Sequence, residues 1–75
     1  MNKSRRDKAN EVIQSLQTIL ATIEFLVNEE QYALECIPEN MYSRVERCEN
    51  TKSDLDDAKT SVEDAIRQLE AAVDR

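Results

Sequence analysis

The chain has 75 residues and a formal charge of -6 from 16 acidic and 10 basic side chains, with one proline and no glycine, histidine or tryptophan. A chain of this length is one domain, and alone it buries only about 60% of its unfolded surface. Without glycine there is no phosphate-binding loop, dinucleotide fingerprint or calcium-loop turn, because each needs backbone approaches that a Cβ obstructs. Without histidine the commonest general base and metal ligand is missing. Composition therefore points away from enzymatic chemistry and gives no catalytic, cofactor-binding or metal-binding residues.

Near absence of glycine and proline, with Ala, Leu, Glu, Gln, Lys and Arg common, is the composition of long helices with few turns. The expected class is all-α. The apolar run after Val12 is broken by Gln14, Ser15, Gln17 and Thr18, so no signal segment and no membrane span is expected, and the reading is a cytoplasmic protein. Cys36 and Cys48 are expected as free thiols there, although they flank the one chain break and a cross-helix disulfide stays open.

The first helix is expected over residues 5–37, capped by Ser4 with Asp7 or by Asn2. Its apolar residues are Ala9, Val12, Ile13, Leu16, Ile19, Leu20, Ile23, Leu26, Val27, Ala33, Leu34 and Ile37. With Ala9 at position a of a heptad they fill a, d and e, a broader stripe than the two-row seam of a coiled-coil pair. Glu30 interrupts the a row. Pro38 ends the helix, since it disfavours helical geometry at Ile37 and lacks an amide donor.

A turn is expected over residues 38–43, then a second helix over residues 44–74 opened by a Ser43/Glu46 capping box. Ala58, Ala65 and Ala72 recur every seven residues, and this small-residue ridge is expected to face the first helix. Two helices of about 30 residues, each roughly 45 Å long, joined by a short turn make an antiparallel hairpin. Folding about residues 40 and 41 brings Leu26 near Leu55, Leu20 near Val62, Leu16 near Ile66 and Ile13 near Leu69. Glu30 falls near Lys52, and an ion pair between them is expected.

One partner helix covers only part of a three-row stripe. Exposed apolar surface costs about 25 cal/mol per Å² relative to burial, and chains this small commonly associate. The expected remedy is a homodimer of hairpins forming a four-helix bundle, with a different protein supplying the surface as the runner-up. Between Val12 and Asn28 the one charged residue is Glu24. Interfaces are depleted of Lys, Glu and Asp, so the first helix should be central and the second outside. Phe25 and Tyr32 share position c, one heptad apart, where the hairpin gives an aromatic ring nothing to pack on. The candidate partner surface is therefore Phe25, Tyr32, Leu16, Ile19, Leu20, Ile23, Leu26 and Val27.

Charge is unevenly placed: residues 1–8 carry +3, residues 9–43 carry -6 with no basic side chain, and residues 44–75 carry -3. The basic segment is expected to be neutralised by Glu70 and Asp74 at the far end of the hairpin, and nucleic-acid binding is disfavoured by the acidic remainder. Asp54, Asp56 and Asp57 resemble the opening of a calcium loop, but Lys59 and Ala65 stand where it needs glycine and glutamate.

Met1, Asn2, Lys3, Arg5 and Arg6, then Pro38, Glu39 and Asn40, then Glu63, Asp64, Ala65 and Ile66 resemble a type of small acidic helical-hairpin protein of phage and prophage genomes. Where that type has Ser-Glu-Arg after the turn, this chain has Ser43, Arg44 and Val45. The resemblance implies a mobile-element protein that acts by binding, as an inhibitor of a host defence complex. The residues themselves lead to a non-enzymatic, self-associating interaction module. The alternatives are an acidic nucleic-acid mimic and a small assembly subunit.

Overall fold

The computed structural model describes all 75 residues, as two helices packed against each other: α1, Lys3–Glu35, and α2, Tyr42–Val73. Of the two expected caps for α1, Asn2 is the one used. Its Oδ1 accepts from the Arg5 amide at 2.9 Å, so the helix starts two residues earlier than expected and takes in Ser4 and Asp7. At the other end the Cys36 amide donates to both Tyr32 and Ala33 carbonyls at 3.2 Å, and the Ile37 amide donates to Leu34 at 3.3 Å. This tightening turn takes up the Tyr32, Ala33 and Leu34 carbonyls just before Pro38.

The connection occupies residues 36–41 and contains no residue with positive φ, which suits a chain without glycine. The Met41 amide donates to the Pro38 carbonyl at 3.0 Å. Met41 then caps α2 through its backbone, its carbonyl accepting from Arg44 and Val45 at 3.1 Å, with no side-chain cap. The Ser43/Glu46 capping box does not form. Because the turn closes on Met41, Ser43 already lies inside the first helical turn, past the position where its hydroxyl would serve as a cap.

Burial resolves the three-row stripe. On α1 and its end the protected row is Ala9, Ile13, Leu16, Leu20, Ile23, Val27, Glu30, Leu34 and Ile37. On α2 it is Val45, Cys48, Lys52, Leu55, Lys59, Val62, Ile66, Leu69 and Val73. Both alternate steps of three and four, the spacing of a helix covered by a single neighbour. Read antiparallel the rows match one for one, with Ala9 level with Val73, Leu16 with Ile66, Val27 with Leu55 and Ile37 with Val45. Only Ala9, Ile13, Cys48 and Ile66 are buried, and none of them is wholly shut off from solvent.

Three expectations change here. Val27, not Leu26, is level with Leu55, because α1 turns its a and e rows to α2 and leaves its d row outside. The alanine ridge flanks the seam: Ala58 is exposed and Ala65 and Ala72 are half-buried, while Lys59 holds the seam position. Glu30 and Lys52 form no ion pair. The inter-helix pair is Lys59 Nζ with Glu24 Oε1 at 3.9 Å, both side chains partly exposed, and Arg67 pairs with Asp64 along α2.

The body is long and thin, 58 × 15 × 11 Å with a radius of gyration of 17.1 Å. A globular chain of this length would have about 11 Å.

Candidate functional site

The seam divides the eight candidate surface residues into two groups. Leu16, Leu20, Ile23 and Val27 are half-buried in the row shared with α2. Ile19 at 47%, Leu26 at 42%, Phe25 at 61% and Tyr32 at 68% of full exposure are not covered by the hairpin. Two members escaped the sequence reading as surface residues, Val12 at 48% exposure and the exposed Ala33. The signal for them was present: Val12, Ile19, Leu26 and Ala33 are the complete d row of the heptads.

On the wheel of α1 the d row lies beside a row of Ser15, Thr22 and Glu29, and beyond it come Thr18, Phe25 and Tyr32. The small Ser15 and Thr22 thus lie between an aliphatic edge and an aromatic edge, with Glu29 at the end of their row. The Thr22 hydroxyl donates to the Thr18 carbonyl and the Thr18 hydroxyl to the Gln14 carbonyl, each at 3.2 Å. Thr51 and Thr60 on α2 make the same bond, so it is a habit of helical threonine. Its consequence here is specific: with both hydroxyls satisfied by backbone, the centre of this face can lose water without leaving a donor unpaired.

A second feature is an open cleft of about 310 Å³ at the loop end, lined by Glu30, Ile37, Arg44, Arg47, Cys48 and Thr51. Cys48 Sγ donates to the Glu30 carboxylate and lies equally close to the Glu30 carbonyl, both at 3.3 Å. Burial pushes the Cys48 thiol up, and the bond to Glu30 and the negative charges of Glu30 and Glu49 push it the same way. A thiol held protonated is a poor nucleophile. Cys36, exposed at the end of α1, is also free, so no disulfide joins the two. No three His, Cys, Asp or Glu side chains are grouped so as to hold a metal ion. Glu30 thus contacts Cys48 and not the expected Lys52.

The basic segment behaves differently from expectation. Lys3, Arg5, Arg6 and Lys8 form no ion pair within 4 Å, and Arg6 Nη2 donates to the Met1 carbonyl at 3.1 Å. The register explains this, because Ala9 is already level with Val73 and Lys3, Arg5 and Arg6 project past the last residues of the second helix. Glu70 and Asp74 are left without those partners.

No helix is long and apolar enough to cross a membrane. Comparison of the chain with family models, with curated proteins and with solved structures returns no match.

Proposed function

We propose that this chain is a non-enzymatic protein–protein interaction module that self-associates, two hairpins packing α1 against α1 into a four-helix bundle with α2 outermost. One observation carries it: the least charged helix presents an uncovered apolar row, Val12, Ile19 and Leu26, edged by Phe25 and Tyr32. Contiguous apolar surface of this kind on a small protein marks an interaction site. Surface area points the same way. The hairpin exposes 5801 Å², whereas a compact monomer of its mass exposes about 4,700 Å². The excess of about 1,100 Å² per chain exceeds the roughly 800 Å² per partner of a standard stable interface.

In its biological setting we take the same face to be what a different protein would meet. The resemblance of the opening, turn and second-helix motifs to phage-type hairpins supports a role as an inhibitor that obstructs a host defence complex by binding. Aromatic anchors on a helix face suit such a role, since they supply large contact area at small entropic cost.

Sedimentation between about 1 and 100 μM tests the self-association, the range over which a homodimer of ordinary affinity dissociates. We expect dimers that dissociate on dilution, and at least about tenfold weaker association for Phe25→Ser/Tyr32→Ser with unchanged helicity. A folded monomer at every concentration overturns the reading. So does a dimer indifferent to both substitutions.

A further inference from the structure

We infer that the second copy lies antiparallel on α1, related by a two-fold axis that passes close to Thr22. This rests on the self-association proposed above and adds to it an orientation, a register and a role for the basic segment.

The d row itself suggests the symmetry. Val12, Ile19, Leu26 and Ala33 are evenly spaced, and their midpoint falls between Thr22 and Ile23. Reversed about that point, the row superposes on itself: Ile19 meets Leu26 of the partner subunit, and Val12 meets Ala33 of the partner subunit. A closed dimer must be self-complementary in this way. The neighbouring row places Thr22 at its own symmetry mate, the small side chain that lets two helices approach, with its hydroxyl already bonded to the Thr18 carbonyl. Ser15 then meets Glu29 of the partner subunit.

Charge selects the same orientation. Residues 1–8 carry +3, while five of the six acids in residues 9–43 lie from Glu24 onward. Parallel pairing would stack Arg5 on Arg5, Lys8 on Lys8 and Glu29 on Glu29. Antiparallel pairing instead brings Arg5 and Lys8 level with the loop end of the partner, where Glu39 of the partner subunit lies beyond the end of its α1. The basic side chains are free for this, since none is paired within its own hairpin. Like-charge juxtaposition excludes wrong pairings more effectively than opposite-charge pairing adds affinity, so the segment sets orientation while the d row supplies contact area.

Single cysteines in full-length Cys36→Ser protein test the geometry, with buried Cys48 retained. Under mild oxidation Thr22→Cys should cross-link to itself. Ser15→Cys and Glu29→Cys should each cross-link poorly alone but readily when mixed. A spin label at Ser15 should report a backbone-to-backbone separation of about 23 Å across the dimer, about 21 Å of it along the helix axis, against about one helix diameter, 10 Å, for parallel pairing. Ser15, Thr22 and Glu29 are all exposed helical positions, and the spin-label distance is independent of disulfide formation. Self-cross-linking at Ser15→Cys and Glu29→Cys overturns the antiparallel register, as does a sedimenting dimer in which none of the three sites cross-links; both leave self-association standing. A monomer by sedimentation overturns the underlying reading as well.

Discussion

Cys48 is the one titratable side chain among the four buried residues. It sits in the seam, its thiol donating to Glu30, and its pKa lies above that of an unfolded thiol because burial and nearby negative charge oppose ionisation. The linkage follows in sign. The folded state holds this proton more tightly than the unfolded state, so the associated stability is fully present below the unfolded thiol pKa and is lost as pH rises through the folded one. Urea midpoints measured from neutral pH upward should therefore fall more steeply for the natural chain than for Cys48→Ala as pH rises from the unfolded thiol pKa through the folded one. Parallel curves would show that the thiol is not held protonated by the fold. Alkylation gives a second view: exposed Cys36 should react promptly in the native protein, and Cys48 only when the hairpin opens.

At the scale of the element, the two helices and the break at Pro38 were legible because periodicity and the lone proline are local properties of the chain. Which two of the three apolar rows α1 turns to α2 was not legible, since a, d and e are equivalent until a neighbour is present. The same ambiguity misplaced Leu26, and on α2 it favoured Ala58 over Lys59, because a lysine in a seam looks like an error unless its stem can lie along apolar surface while the ammonium reaches Glu24. The capping box failed for a related reason, as the Met41-centred turn fixes the start of α2 before Ser43 can act. Two substitutions separate the alternatives. Ala58→Leu, at an exposed position, should change stability by no more than about 0.5 kcal/mol, whereas a true seam alanine would overpack and lose about 1–3 kcal/mol. Lys59→Leu should stabilise by about 1 kcal/mol, because the partly exposed pair it removes contributes little and the seam gains an apolar side chain. Chemical denaturation of both variants checks the assignment, and a large loss for Ala58→Leu would place the alanine ridge back in the seam.

At the scale of the whole molecule, a body 58 Å long with only four buried residues has most of its apolar surface at its boundary. Stability in such a case is inseparable from concentration, since association removes the uncovered row from water only in the folded state. For a dimer that dissociates as it unfolds, a hundredfold rise in concentration adds RT ln 100, about 3 kcal/mol per dimer near 60 °C. Unfolding entropy of about 2.1 cal/mol/K per residue gives about 0.3 kcal/mol/K for two such chains, so the melting temperature should rise by about 10 °C over that range. An isolated hairpin would melt at one temperature throughout. Phe25→Ser/Tyr32→Ser should flatten the dependence while leaving the dilute-limit melting temperature close to its natural value, because both rings are uncovered in the single hairpin. Salt distinguishes the apolar face from a charge-driven one. With the -6 charge concentrated away from the d row, raising ionic strength should alter the concentration dependence only modestly, whereas association through an acidic surface would weaken steeply. Melting curves across concentration, repeated at low and high salt, therefore test both the existence of the dimer and the face that makes it; a concentration-independent melt would sink the first, and a steep loss with salt the second.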